Sequence, residues 1–310
     1  MNVLPRYLLL TLALAGLATG AGAADPAVLV VSSERSTVYQ EAADAVAGEL
    51  ARTVEPRREV LQFAQTELAR YRGPAPHLYI ALGTEACATL ARSPANAPVL
   101  CTLLPRASFE RVLRETGRRM GATFTALYLN QPLGRQLDLM RLALPQARRV
   151  GVLLGPDSQS NAPMLESAAQ ARGLQLVSAA VKPDELVFNG LKKILGESDL
   201  LLAMADPHVY NSNSIQNILL ASFRAQVPML AFSPAYVRAG ALMAVYSTPA
   251  QIGQQAGMLA RGLLQGQPLG VPQYPLQFEV SVNEHVARSL GLKLDAMSLA
   301  ERLRRLERGS

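Results

Sequence analysis

The strongest constraint on this chain is a regular alternation of short apolar runs with longer stretches of helical periodicity. Two of the apolar runs are "AVLVVSS" (Ala27–Ser33) and "RVGVLLG" (Arg149–Gly155), which are rich in β-branched residues and too short for helices. Thr37–Thr53 follows the first run, and its apolar residues recur every four positions, as in an amphipathic helix. Continuous apolar strands that alternate with helices predict parallel β-sheets covered on both faces, an α/β fold.

The first 24 residues have the pattern of a secretory leader. Arg6 supplies a positive charge, Tyr7–Leu17 is a short apolar run, and the small residues "AGA" end at Ala23. We therefore expect cleavage near Ala23 or Ala24 and a periplasmic location. A retained membrane anchor is the alternative reading, although the apolar run is short for a membrane span.

The same order of elements is predicted twice, once in each half of the chain. In the first half, strands are predicted at Ala27–Ser33, Glu59–Phe63, Leu78–Gly83 and Pro98–Leu104. In the second half, strands are predicted at Arg149–Gly155, Leu174–Val181, Asp199–Asp206 and Pro228–Ser233, with helices at Ala162–Arg172, Asp184–Leu195 and Ser212–Ala225. Even without the leader, the 310-residue chain exceeds the usual size of a single hydrophobic core. Two lobes are therefore expected.

Charge and motif content argue against nucleic-acid binding and against catalysis. The chain has 30 basic and 24 acidic residues, and removal of the leader takes away one Arg and no acid. The basic residues are scattered, whereas nucleic-acid binding needs a concentrated basic face. No G-x-S-x-G, P-loop, G-x-G-x-x-G or H-E-x-x-H motif occurs. The three histidines, His77, His208 and His285, are dispersed, so neither a metal site nor another cofactor is expected.

Polar residues cluster just after the predicted strands. Ligands of open α/β sheets bind beyond the carboxyl ends of the strands, so these residues are candidates for ligand binding. They are Ser32, Ser33, Glu34, Thr84, Glu85, Asp157, Ser158, Asn161, Asp206, His208, Tyr210, Ser233 and Tyr236. Ordinary helix capping is the alternative role for each of them. As a set that faces a cleft, they predict hydrogen bonding to a small polar molecule.

Two cysteines, Cys87 and Cys101, lie on a predicted helix and on the strand that follows it. An oxidising compartment allows a disulfide between them. Two buried thiols that pack as small apolar residues are an equally good reading.

At the level of whole segments, residues 25–295 resemble the ABC transporter substrate-binding proteins of the tryptophan/tyrosine-binding type. The similarity rests on the order of "RVGVLLGPDSQSNAPMLESAAQARGLQL", "DLLLAMADPHVYN" and "VPMLAFSPAYVRAGALMAVYSTPAQIGQQAG". The resemblance implies a periplasmic-binding-protein-like fold of two Rossmann-like lobes joined by hinge crossings. It implies that lobe I comprises residues 25–124 and 247–272, and that lobe II comprises residues 125–246 and 273–310.

The resemblance also assigns roles to individual residues. Asp206 matches the acid that meets a ligand amino group, Thr84 a small hydroxyl of lobe I, and Ser233 a polar residue near the hinge. Arg106 departs from the family pattern, because it stands where an acid is usual, and Pro207 stands where Asn is common. A carboxylate-bearing ligand that meets Arg106 and an aromatic amino acid therefore both remain open.

The expected function is the periplasmic solute-binding component of an ABC-type transport system, which captures an amino acid or related compound by lobe closure. Its partners would be the small-molecule ligand and a membrane permease, and we expect a monomer that binds no nucleic acid. A ligand sensor that presents its bound state to a membrane signalling protein is one alternative. An exported hydrolase without a recognisable motif is another. The C-terminal stretch at 294–308 either packs on lobe II or docks a partner.

Overall fold

The computed structural model of the chain describes residues 26–52, 59–94, 97–182 and 187–309. The expected leader and its cleavage site therefore lie outside the described residues, as does the start of the helix predicted at Asp184. Within the described ranges, no helix combines the length and apolarity needed to cross a membrane.

The strands form two separate sheets. The first has the order β2-β1-β3-β4-β5, with β1 at Pro26–Ser32, β2 at Glu59–Ala64, β3 at Leu78–Leu82, β4 at Val99–Leu104 and β5 at Phe124–Tyr128. The second has the order β11-β10-β9-β8-β6-β7, with β6 at Arg149–Leu154, β7 at Gln175–Ala180, β8 at Leu200–Leu202, β9 at Met229–Ala231, β10 at Met243–Tyr246 and β11 at Glu279–Val282. All neighbouring strands are parallel except β10 and β11. The predicted α/β fold with two mostly parallel sheets is confirmed.

Helices cover both faces of both sheets. Those on the first sheet are α1 (Thr37–Ala51), α2 (Thr84–Arg92), α3 (Arg106–Thr116) and α9 (Pro249–Leu264). Those on the second are α4 (Leu133–Ala143), α5 (Ala162–Gln170), α6 (Val187–Glu197), α7 (Ile215–Arg224), α8 (Pro234–Ala239), α10 (Glu284–Ser289) and α11 (Ala296–Arg308). We call each sheet with its helices lobe I and lobe II.

The chain passes between the lobes three times. The first crossing, residues 129–132, follows β5; the second, residues 247–248, leads into α9; and the third, residues 265–278, leads into β11. The sequence placed the end of the first segment of lobe I at residue 124. In the structure, fully buried β5 pairs with β4, so residues 124–128 belong to the sheet of lobe I. In the third crossing, Gln273 also pairs with β5, because its N–H donates to Ala126 and its carbonyl accepts from Tyr128.

Helix α9 completes the core of lobe I although it is distant in sequence. It packs against α1 so closely that a Cβ on Gly253 would lie 2.2 Å from the carbonyl oxygen of Ala42. Gly257 would likewise meet Glu49 at 2.6 Å. Two glycines one helical turn apart therefore allow the two helix backbones to come into direct contact. Thr248 and Gln251 begin α9 with a reciprocal capping box.

The C-terminal helix α11 packs on lobe II against α4. Its Leu299 and Leu303 side chains are buried, whereas Leu306 is 45% exposed. Asp295 caps the helix by accepting a hydrogen bond from the N–H of Ser298 at 2.7 Å. Of the two roles left open for this segment, packing on lobe II is the one that the contacts support.

A disulfide between Cys87 and Cys101 joins α2 to strand β4. The two Cα atoms are 5.4 Å apart, within the normal range, and both side chains are fully buried in lobe I. The bond therefore braces the strand whose end leads into α3.

We expect the Cys87→Ala/Cys101→Ala variant to lose about 3 kcal/mol of unfolding free energy, because the bond closes a short loop in the unfolded chain. Urea unfolding of the oxidised protein measures the loss. Treatment of the wild type with a reductant should reproduce it and should leave the variant unchanged. An unfolding midpoint equal to that of the oxidised wild type would contradict a stabilising role.

Candidate functional site

The two lobes meet where the carboxyl ends of their strands face each other. Between them lies a cavity of about 30 Å³, room for a few water molecules at most. Its walls come from lobe I, the first crossing and lobe II, and are formed by Pro105, Arg106, Ala107, Asn130, Gln131, Gln136, Ser158, Asn161, Ala203, Met204, Ala205, Phe232 and Val245. The cavity is far smaller than the ~300 Å³ or more of a usual small-molecule pocket. Beside it, Arg106 and Arg111 of lobe I contact Met164 and Asp157 of lobe II, and we call this arrangement of the lobes the closed form.

Arg106 is the first residue of α3 and lies at the centre of this junction. Its Nε donates to Glu110 Oε1 at 2.7 Å, and its Nη1 lies 3.5 Å from both the Tyr274 hydroxyl and the sulfur of Met164 in lobe II. Its backbone N–H donates to Asn130 Oδ1 at 2.9 Å. Partial burial acts to lower the pKa of the guanidinium, but the hydrogen bonds to Tyr274 and Glu110 raise it overall, so Arg106 is charged.

An aromatic cluster fixes the position of α3. Phe109 stacks on Phe124 of β5 with ring centroids 5.7 Å apart, and Tyr128 contacts Tyr274 edge-on at 5.1 Å. Burial raises the pKa of Tyr128 to about 12, so its hydroxyl is neutral. These ring contacts hold α3, the helix of Arg106, against β5, and β5 in turn contacts the third crossing through Tyr274.

On the lobe II side, Asp206 organises the loop that follows β6. One carboxylate oxygen accepts hydrogen bonds from the backbone N–H and the hydroxyl of Ser158, both at 2.8 Å, and the other accepts from the N–H of His208 at 3.0 Å. Residue 155 must be Gly, since a Cβ there would lie 2.6 Å from the Asp206 oxygens. The Asp206 side chain is fully buried, so in this closed form its carboxylate faces protein donors rather than the cavity.

An ion pair joins the two lobes beside the cavity. Arg111 of α3 donates to Asp157 of lobe II with a distance of 2.7 Å, and Asp157 is only 10% exposed. Asp157 therefore contributes to lobe contact in this form of the protein.

Five candidate residues of lobe I lie away from the cavity wall. Ser32 and Glu34 line a groove of about 490 Å³ beside α1. The hydroxyl of Ser33 accepts a hydrogen bond from the N–H of Ala86 at 3.0 Å, a capping role at the start of α2. Thr84 and Glu85 form the first turn of that helix. These positions belong to the strand-end edge of lobe I, but none of them lines the closed cavity.

Besides Asp157 and Asp206, four candidates of lobe II also lie outside the wall. Exposed His208 lines a groove between α6 and α7. Tyr210 is buried in the lobe II core, where burial raises the pKa of its hydroxyl. The Tyr236 hydroxyl donates to the Tyr210 carbonyl at 3.4 Å, and Ser233 precedes α8. Of the predicted set, Arg106, Ser158 and Asn161 reach the cavity.

Several wall residues were not predicted from the sequence. Asn130, Gln131 and Gln136 come from the first crossing and the start of α4, and Met204 and Phe232 come from the ends of β8 and β9. The rule of polar residues after a buried strand applies to Asn130 and Gln131 as well, because they directly follow β5. The strands predicted from the sequence do not include β5, so these two residues are not among the candidates. Within the described ranges, no group of His, Cys, Asp and Glu side chains could hold a metal ion.

We expect Asp206→Ala to lower the free energy of unfolding by about 3 kcal/mol, because buried donors of Ser158 and His208 lose their acceptor. Urea unfolding of the ligand-free protein gives the value. Asp44→Ala, at an exposed acid on α1, is the matched control and should change stability by less than about 0.5 kcal/mol. Equal stability of the two variants would contradict the organising role of Asp206.

Solved structures with low sequence identity share this fold. The ligand-free, open structure of a substrate-binding protein with adhesive properties from Clostridium difficile aligns with a TM-score of 0.67 at 15% identity, over 87% of this chain and 96% of that one. The ABC domain in complex with L-Trp from Streptococcus pneumonia aligns with a TM-score of 0.61 at 15% identity, over 89% and 99%. A conserved domain protein from Vibrio cholerae gives 0.61 at 18% identity, over 89% and 98%.

Sequence comparison points to the same group of proteins. The chain is 21% identical to a tyrosine-binding protein of Clostridioides difficile (strain R20291) over 224 residues, which are 70% of this chain. That match spans 63% of the relative, less than two thirds of its length. A match to the family described as ABC transporter substrate binding protein extends over residues 60–301, well over half of the chain. The family resemblance predicted from the sequence is confirmed: this chain belongs to the ABC transporter substrate-binding protein family.

Proposed function

We propose that this protein is the periplasmic solute-binding component of an ABC-type transport system, and that it captures a small carboxylate-bearing ligand, an amino acid or related compound, between its lobes. The charge of the cavity wall indicates the class of ligand that binds there. Among the described residues that line the cavity, Arg106 is the single charged one. A guanidinium in a partly dry site favours a carboxylate, because it offers two parallel donors to the two oxygens.

The acids near the junction are already engaged by protein donors. Glu110 accepts from Arg106, Asp157 accepts from Arg111, and Asp206 accepts from its own loop. A ligand carboxylate could replace Glu110 as the partner of Arg106 without leaving a buried charge unpaired. A ligand ammonium would meet the neutral oxygens of Asn130 and Asn161 in the wall. Contact with Asp206 would require the loop of Ser158 to open.

The rest of the wall suits an apolar side chain. Pro105, Met204, Phe232 and Val245 supply apolar surface next to the amides. The relatives that are named for binding tyrosine, or solved with L-Trp, support an amino acid as the ligand. We therefore place the carboxylate at Arg106 and the side chain toward Met204 and Phe232.

Capture requires the lobes to open first. A cavity of about 30 Å³ cannot hold even a small amino acid. The ligand must enter an open form and then stabilise the closed form through contacts that it makes only there. We expect a membrane permease to bind the closed form, because membership of the family supports a permease as the partner.

The ligand class is tested by calorimetry and thermal-shift screening of the mature protein against the L-amino acids and small mono- and dicarboxylates. We expect binding by compounds with a free carboxylate and none by their amides or esters. Equal binding of an amino acid and its amide would contradict a carboxylate anchor. Absence of binding by every carboxylate in the set would contradict the proposed ligand class.

We expect Arg106→Gln to weaken binding of the best ligand by about 10- to 100-fold, because a charge-assisted hydrogen bond worth roughly 1.5–3 kcal/mol is lost. Arg114→Gln is the matched control, since Arg114 is exposed on the same helix and the charge change is identical. Calorimetry of both variants measures the difference. A dissociation constant of Arg106→Gln equal to that of the control would exclude Arg106 from the binding site.

We expect Asp157→Asn to favour the open form, because it removes the ion pair with Arg111; for a partly exposed pair the loss is roughly 1 kcal/mol. Spin labels at Arg119→Cys in lobe I and Gln170→Cys in lobe II, both exposed positions, report the distance between the lobes in the ligand-free protein. The reversed pair Arg111→Asp/Asp157→Arg should restore the wild-type distance distribution. If Asp157→Asn alone keeps the wild-type distribution of label distances, the ion pair does not hold the lobes together.

A further inference from the structure

The three hinge crossings are tied together by buried polar side chains. Gln131 of the first crossing is 3% exposed, and its Nε2 donates to the hydroxyl of Ser247 in the second crossing at 2.9 Å. That hydroxyl in turn donates to the carbonyl of Gln277 in the third crossing at 2.5 Å. Each crossing therefore supplies one member of a single hydrogen-bonded chain.

Arg135 extends this network from the first turn of α4. It is 7% exposed, and its Nη1 donates both to Gln131 Oε1 at 2.7 Å and to the carbonyl of Pro275 at 2.8 Å. The central carbon of its guanidinium also lies over Phe278, 4.3 Å from the ring centroid. One buried cation of lobe II thus contacts the first and third crossings directly and the second through Gln131.

The counter-charge of Arg135 comes from the end of the chain. Glu307 on the last turns of α11 accepts from Nε at 2.5 Å and from Nη2 at 3.0 Å, a two-pronged arrangement. In the same helix, Arg304 donates to the carbonyl of Phe278 at 3.1 Å. A buried guanidinium that loses its partner leaves an uncompensated charge, so the hinge network depends on the placement of α11.

We infer that Arg135 is a positioning residue for lobe closure and that α11, through Glu307, holds the crossings in their closed geometry. The Gln131–Ser247–Gln277 bonds require the three crossings to keep the relative positions seen here, and opening must change the backbone angles of at least some crossing residues. The charge-compensated Arg135 therefore favours closure without contacting the ligand. This inference rests on the proposed capture by closure, but it is tested without ligand.

Spin labels at Arg119→Cys and Gln170→Cys measure the lobe distance in the ligand-free full chain. We expect Glu307→Gln to raise the open-to-closed ratio at least about tenfold relative to wild type. The matched control is Glu301→Gln on the same helix, where the acid pairs with Arg305 at the exposed surface. The control should keep the wild-type distances. Glu307→Gln and Glu301→Gln with the same distance distribution would overturn the inference.

A second variant allows the same test if the first does not fold. Should Glu307→Gln lose cooperative urea unfolding, Arg304→Gln takes its place, because it removes the bond to the Phe278 carbonyl and leaves no buried charge unpaired. A distance distribution shifted toward the open form would support the inference, and one unchanged from wild type would overturn it. Because no ligand is used, failure of the carboxylate screen leaves this result unaffected.

Discussion

The structure depends on the parallel pairing of the strands. Because parallel strands all end at one edge of a sheet, each lobe gathers its strand-end loops on one side, and the three crossings turn these two edges toward each other. Arg106 and the Ser158 loop come within reach only through that arrangement. Each lies on its own lobe, 52 positions apart in the chain, and the gap between them is the cavity.

The arginines beside the cavity and the arginine at the hinge are paired with acids in different ways. Around the cavity, Arg106 pairs with partly exposed Glu110 on its own helix, where a ligand could take the place of the acid, and Arg111 pairs with Asp157 of the other lobe. In the hinge, Arg135 is buried and is compensated from within lobe II. The Arg111–Asp157 pair must separate when the lobes open, whereas the Arg135–Glu307 pair lies within one lobe and keeps a compensated charge against the crossings in the closed form.

Much of the fold could be predicted from the sequence, because continuous apolar strands and helix-period segments are local patterns. The strand at β5 was not predicted, because the lobe boundary implied by the family resemblance falls at its first residue, Phe124. The site was predicted less well. The strand-end rule identifies the loops after the predicted strands, but only the relative orientation of the lobes decides which loops line the cavity. Ser33 and Asp206 are therefore used for local hydrogen bonds, and Phe232, which carries no polar signal, lines the wall.

The glycine contact between α1 and α9 has a consequence for how the chain acquires its structure. Ala42 and Val46 of α1 are buried against a helix that ends at Leu264, more than two hundred positions later. During synthesis from the amino end, lobe I cannot complete its hydrophobic core until α9 is present, by which point most of the chain has been made. Any fragment that ends before α9 therefore lacks the helix against which this face of α1 packs.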